Sequence, residues 1–336
     1  MTSGDVDARG DLLSLTVPAA LEAERVDRGV ALLVGLSRAQ ASRLFDEGRV
    51  RISGLVVRAG SRRLRGGELL EVDLAGHSPL EPGPAVRTPT PGEPPLEAAV
   101  VFADKDLVVV DKPAGLVVHP GAGNPHGTLV QQLVALFPDM SAAGPEDERP
   151  GIVQRLDKGT SGLMVVARTA AAREGLVSQL AARSVERAYL AVVHGELEAD
   201  EGTVDAPLGR SQSHRVKMAV VQGGRHALTH YRAESRSSSP VPVTLVWCRL
   251  GTGRTHQVRV HFAAIGHPVF CDDRYSKPSQ LAAARTALPG LRRPWLHAAR
   301  LGFVHPVTGE PMQFSCGLPP DLAATLGPLG LSLPPE

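Results

Sequence analysis

The chain has 336 residues, 43% of them hydrophobic, and its 36 basic and 35 acidic side chains leave a formal net charge of +1. That balance excludes a uniformly basic nucleic-acid coat protein and an acidic tail protein, and at roughly 100–200 residues per domain the length predicts two domains, or three. Cys248, Cys271 and Cys316 are too few and too scattered for a disulfide framework or a thiolate zinc site.

Only five of the basic residues are Lys, which leaves 31 Arg. The guanidinium fork suits bidentate phosphate contacts, and a GC-rich coding sequence produces the same bias. The first twenty residues contain Asp5, Asp7 and Asp11 and no apolar core, so no secretory signal is visible, and no apolar run approaches the length of a membrane span. The expectation is a cytoplasmic protein with no membrane association, and, with no apolar stripe in view, a monomer. Residues 1–21 read as a flexible N-terminus.

A small module follows over residues 22–76. Ser37-Arg38-Ala39-Gln40 has the spacing of a capping box. It opens a helix over 38–47 that stops at Gly48. Strands are expected at 49–52, 56–57 and 68–72, with a turn at Ser53-Gly54. Between residues 38 and 65, eight Arg stand against Asp46 and Glu47. Such a cluster is either a phosphate-binding face or a solvated surface. Residues 24–74 resemble an S4 RNA-binding module, through 25–33, Leu36-Ser37-Arg38, Glu47-Gly48-Arg49-Val50 and Gly67-Glu68. The resemblance implies that the helix and the loop after it meet structured RNA, with Arg38, Arg43, Arg49 and Arg51 as contacts.

Residues 77–97 contain seven prolines and read as a semi-extended linker. The second domain, 98–322, alternates short Val-rich runs with turns, at 99–102, 107–110, 163–167, 188–193, 228–231 and 243–250. Helices are expected at 170–183, capped by Thr169, and at 256–265, capped by Thr255 and stopped by Gly266. The rhythm of parallel βαβ units is missing, so the fold class is α+β: a small module plus a mixed, largely antiparallel sheet domain. Residues 323–336 read as a C-terminal tail.

The chemistry concentrates at Gln154-Arg155-Leu156-Asp157-Lys158-Gly159-Thr160-Ser161-Gly162, a charged Gly-rich loop before an apolar strand. Asp157, flanked by Arg155 and Lys158, should stay ionised. A carboxylate held on a stiff loop can act as nucleophile, base or ligand, or merely cap the turn at Gly159-Thr160. Arg155-Leu156-Asp157 with Thr160-Ser161-Gly162 resembles the catalytic motif of the ribosomal large subunit pseudouridine synthase family. Three further segments fit in order: Asp111 to Gly121, Arg187-Ala188-Tyr189-Leu190-Ala191, and Gly251 to His261. Leu296-His297-Ala298 and His305-Pro306 also fit, and Ala122-Gly123-Asn124-Pro125 resembles the D-type subgroup.

The resemblance implies isomerisation of uridine to pseudouridine in large-subunit ribosomal RNA, free or in a pre-ribosomal particle, without cofactor or metal. It makes Asp157 the essential carboxylate, Arg259 its ion-pair partner and Tyr189 the ring that stacks on the target base. A base in a stem must first be extruded, and Arg155 is the candidate to fill the vacated place. Lys112, Arg254 and Lys217 are candidate phosphate contacts. His256 is expected on the helix face of Arg259, three residues away. Gln154 departs from the family, which usually has His there. His119, His194, His261 and His305 read as structural, and His226 and His230 as strand residues without a third ligand. Alternatives are a non-catalytic RNA-binding assembly protein, a synthase acting on transfer RNA, and a glycoside hydrolase. The last needs a second facing acid, and Glu174 and Glu186 are poorly placed for it.

Overall fold

The computed structural model describes residues 5–6, 12–18, 21–34, 38–75, 99–121, 124, 126–143, 150–211, 214 and 217–333. The chain divides into two compact units, 1–84 and 85–336. The expected linker, 77–97, lies outside the described residues, as do Ser37 of the capping box and Ala122, Gly123 and Pro125.

In the first unit the strands are β1 (Asp5–Val6), β2 (Leu12–Thr16), β3 (Val50–Ile52), β4 (Leu55–Val56) and β5 (Leu69–Asp73), and the helices are α1 (Val26–Val34) and α2 (Arg38–Asp46). They form a five-stranded sheet in the order β1-β2-β5-β3-β4. Ser53 and Gly54 turn the β3–β4 hairpin through left-handed backbone. Val26, Val30, Leu44, Phe45, Leu64 and Leu70 close its core. Part of the segment expected as a flexible N-terminus is instead a strand. Leu12–Thr16 pairs antiparallel with all of β5, and Leu13 and Leu15 pack on that core. The segment is too short to announce itself, and its partner lies more than fifty residues downstream.

The second unit is built on a nine-stranded mixed sheet. Its strands are β6 (Val100–Ala103), β7 (Leu107–Lys112), β8 (Ser161–Ala167), β9 (Glu186–His194), β10 (Glu201–Asp205), β13 (Leu228–Ser237), β14 (Val243–Leu250), β15 (Leu296–Val304) and β16 (Pro311–Ser315); β11 (Leu208–Arg210) and β12 (Met218–Val220) form a separate hairpin. The order is β10-β13-β14-β9-β15-β8-β7-β6, with β16 on β15. Every pairing is antiparallel except β15 with β8. That contact needs a glycine. Gly162 has φ +114°, and a Cβ there would strike the backbone of Ala298.

Helices cover both faces, which is why the central strands read as unbroken apolar runs. On one face α3 (Leu129–Leu136) and α5 (Gln257–Ala264) bury Leu133, Phe262 and Val258 against Val108, Met164, Tyr189 and Val246. On the other, α4 (Ala170–Ala181) covers Leu107, Val109 and Val165, while α6 (Pro278–Ala287) and α7 (Pro320–Leu326) cover Leu190, Val192 and Leu245. Thr169 caps α4 by accepting from Ala172 N at 3.2 Å, as its position predicts. The cap of α5 is His256 in left-handed conformation, not Thr255. Much of the expected tail is core: Thr325 accepts from Trp295 Nε1 at 2.7 Å, and Leu329 and Leu331 are buried. Among the described residues no helix is long and apolar enough to cross a membrane.

Candidate active site

Asp157 lies on the loop entering β8. Its backbone carbonyl accepts from Thr160 N at 3.0 Å, which closes the turn without the side chain. The loop is braced from both ends. Gly115 N donates to Lys158 O at 2.7 Å, and Arg293, itself paired with Asp321, reaches Gly159 O and Ser161 Oγ. The carboxylate is thereby free to face α5. Arg259 Nη1 donates to Asp157 Oδ2 at 2.9 Å, while Arg259 Nε and Nη2 bond the two oxygens of Asp272 at 2.6 and 2.8 Å. The Arg259 side chain is 7% exposed, Asp272 0% and Asp157 14%. The two carboxylates push the Arg259 pKa upward against the opposing cost of its burial. A bidentate clamp on one side therefore aims the remaining nitrogen at the partly open carboxylate.

His256 stands beside this pair, with Nε2 3.8 Å from Asp157 Oδ1. Tyr275 Oη accepts from Met218 N at 3.1 Å, so its hydrogen is free to bond His256 Nδ1 at 2.6 Å. With Tyr275 as the donor of this bond, the imidazole hydrogen sits on Nε2, toward Asp157. Burial lowers the His256 pKa. Tyr275 also lies under Arg259, 5.1 Å from guanidinium carbon to ring centroid. His256 and Arg259 do approach the same carboxylate, but His256 is the left-handed cap of α5 and not a helical residue, so the expected helix face is not what brings them together.

Tyr189, from β9, lines the same depression as Asp157, Arg155, Thr160, Arg254 and Leu296. Its ring belongs to the core, and burial pushes its hydroxyl up to about 12. The phenol therefore stays neutral beside an acid. Arg155 is exposed at the rim, where the described residues include no partner for it. Arg254 Nε donates to His226 O at 3.0 Å. Lys217 stands in the turn of the β11–β12 hairpin, away from the depression's lining. Gln154 is half-buried with Nε2 unpartnered.

Two expectations need correction. Lys112 cannot contact phosphate: it is fully buried and donates to Pro113 O at 2.8 Å and Leu116 O at 2.9 Å. Desolvation lowers its pKa to about 7, with Asp157 opposing the shift. The alternation of β7 turns Asp111 and Lys112 to opposite faces, and the sequence does not say which is inside. Arg49 is likewise committed, to Glu47 at 2.9 Å, Asp73 at 3.5 Å and Ala75 O. Arg43 and Arg51 remain exposed, and the Arg38 side chain lies outside the described residues. Asp272 and Tyr275 escaped the sequence reading. Asp272 lies only 13 residues from Arg259, in Cys271-Asp272-Asp273-Arg274-Tyr275, but nothing local marks which acid turns inward.

Among the described residues lining the depression, Asp157 is the one carboxylate. The other nearby acid, Asp272, is sealed behind Arg259, so the facing pair of a glycoside hydrolase is not available there. Elsewhere Asp104, Asp106 and His305 converge. His305 Nδ1 accepts from Val307 N and Thr308 N, so Nε2 carries the hydrogen and donates to Asp104 Oδ2 at 2.9 Å. That tautomer turns no lone pair toward a cation. His226 and His230 diverge: His226 lies before β13 and pairs with Asp205, while His230 bonds Thr203.

A family profile described as RNA pseudouridylate synthase matches residues 106–264. The chain is 42% identical over 324 residues to ribosomal large subunit pseudouridine synthase D of Xanthomonas campestris, covering 95% of this chain and 92% of that one. It is 41% identical over 315 residues to the protein of the same name from Nitrosomonas europaea, covering 94% and 87%. Among solved structures, human RNA pseudouridylate synthase domain containing 4 matches with a TM-score of 0.55 and 27% identity, covering 71% of this chain and 96% of that one. An acid–arginine pair beside a buried tyrosine thus sits within the matched segment, and the chain belongs to the RNA pseudouridine synthase family.

Proposed function

We propose that this enzyme isomerises uridines of large-subunit ribosomal RNA to pseudouridine, with Asp157 as its essential carboxylate. The rRNA assignment is supported by the names of the relatives above. The catalytic assignment is carried by one observation, the 2.9 Å bond from the doubly anchored Arg259 to Asp157. Detaching uracil from its sugar, rotating it and rejoining it through carbon consumes no external energy source. It needs a carboxylate kept anionic and oriented at the anomeric carbon, and surroundings that exclude water from the intermediate. Arg259 supplies orientation and charge, and Leu156 and Leu296 supply apolar walls. Tyr189 offers the extruded base a stacking surface, and Arg155 is free to occupy the gap left in the stem.

The first unit is assigned as an S4 RNA-binding module. Support comes from its sequence motifs and from the exposed arginines on its helix α2 and strand β3. It would hold the RNA while the second unit acts.

The deciding experiment is tritium release from 5-tritiated uridine in unmodified large-subunit RNA, with intact protein and with Asp157→Ala. Release by the intact protein alone is expected, with RNA binding retained by the variant. Release from transfer RNA but not from large-subunit RNA overturns the substrate assignment. Equal release by both proteins overturns the role of Asp157.

A further inference from the structure

Resting on the RNA isomerase reading, we propose that Arg183, Arg187, Arg225 and Arg254 form a cradle beside the catalytic depression that binds backbone phosphate of the substrate RNA. Arg187 is its centre. It lies two residues before Tyr189 on β9, so both side chains leave the same face of the strand. Arg187 is 7% exposed, its Nε has no hydrogen-bond partner, and no carboxylate among the described residues pairs with it. A guanidinium that is more than nine-tenths buried without a counter-ion is costly unless something supplies the missing anion.

The other three arginines make the deficit larger. Arg183, Arg187 and Arg225 all lie close enough to Arg254 to disfavour its charge, and burial works in the same direction. The contacts made by this group within the described residues are to neutral acceptors. Arg254 bonds His226 O, and Arg183 Nη2 lies 3.3 Å from His226 Nδ1. Asp205, which adjoins this network through His226, is taken by His226 Nε2 at 3.0 Å. Four like charges with no paired carboxylate among the described residues describe an anion site, and the chain's own substrate is a polyanion.

Access is built in at Gly253. This residue is exposed, and a Cβ placed on it would come within 2.5 Å of Arg187 Nη1. The missing side chain leaves the guanidinium just beneath the surface of the 251–254 loop, where a phosphate can reach it. Arg254 lines the depression that holds Asp157. The cradle therefore adjoins the place a flipped uridine must occupy, and gripping its backbone would hold the nucleotide extruded.

The test is the salt dependence of binding of an unmodified large-subunit RNA transcript to the intact protein and to single variants. Arg183→Ala and Arg225→Ala remove exposed side chains, and each is expected to lower the slope of log affinity against log salt by about 1. Arg187→Met keeps the buried volume and should weaken binding roughly 10- to 100-fold at low salt. Gly253→Ala, which displaces Nη1 without deleting it, should fall in the same direction. Arg232→Ala, an arginine already paired with Glu234 at 2.8 Å, is the control and should leave the slope unchanged. Unchanged slopes for Arg183→Ala, Arg187→Met and Arg225→Ala overturn the cradle even if the intact protein isomerises RNA. Falling slopes without any tritium release by the intact protein support the cradle and overturn the isomerase reading instead.

Discussion

Asp272 presents both carboxylate oxygens to Arg259, 2.6 Å from Nε and 2.8 Å from Nη2, and so turns Nη1 toward Asp157. Backbone N–H groups of Arg274 and Tyr275 donate to the same carboxylate, at 3.0 and 3.3 Å from Oδ1. The partly open carboxylate of Asp157 is thus oriented by one that is wholly buried. Such outer support decides how rigidly a reactive group is held.

Asp272→Asn sets an amide N–H against an arginine N–H and leaves Arg259 with one anionic partner. Stability should fall by about 3 kcal/mol or more, as for a broken buried pair. Urea denaturation reads this directly. Tritium release should lose roughly 10- to 100-fold in kcat with KM little changed. A loss confined to KM would remove Asp272 from the orientation of the catalytic acid.

Lys112 gives stability a pH dependence of known sign. Burial lowers its pKa from 10.5 to about 7. Between those values the unfolded chain holds a proton that the folded chain has shed, so this group makes folding more favourable as pH rises. The slope approaches about 1.4 kcal/mol per pH unit mid-window and vanishes above the unfolded value. Urea denaturation of intact protein and Lys112→Met at pH 6, 8 and 10 should show the difference moving toward the intact protein. A flat difference would contradict the assignment.

Gln154 buries an Nε2 that no acceptor meets. Gln154→Met removes that donor at nearly constant volume and should raise stability by about 1 kcal/mol, with tritium release unchanged. Gln154→His should alter the rate only modestly. A large gain in rate would mean that Gln154 holds the enzyme back.

In the first unit the arginines divide into committed and free. Arg49 and Arg62 are ion-paired with Glu47 and Glu68, whereas Arg43 and Arg51 are exposed with no partner among the described residues. Arg43→Ala and Arg51→Ala should each lower the salt slope of RNA binding by about 1, and Arg62→Ala by less. Equal slopes for all three would leave this surface without an RNA role.

The central strands were legible because both faces of β7, β8, β9 and β14 are covered, which writes continuous apolar runs into the chain. Asp157 stood out as a charged loop residue between such runs, but the loop alone left open whether it reacts or caps the turn, and its proposed role comes from the family motif. What stayed hidden was decided by distant partners. β2 is a strand because β5 is there to pair with it, and α7 is fixed by Trp295 at the base of β15. His256 replaces Thr255 as the cap of α5 where Tyr275 bonds its ring. Lys112 looked like a surface cation until the sheet closed over it.

The position of β15 also governs the order of assembly. β8 follows directly from the Asp157 loop and β9 carries Tyr189, yet the two are not neighbours: Leu296–Val304 lies between them, hydrogen-bonded to both. A chain emerging during synthesis can pair β7 with β8, and β9 with β14, long before this strand exists. Until it arrives, the half bearing the acid and the half bearing the tyrosine and arginine lack the strand whose hydrogen bonds register β8 against β9. Activity should therefore switch on in one step when the last central strand inserts, and a chain ending at residue 295 should release no tritium however well its first unit holds RNA.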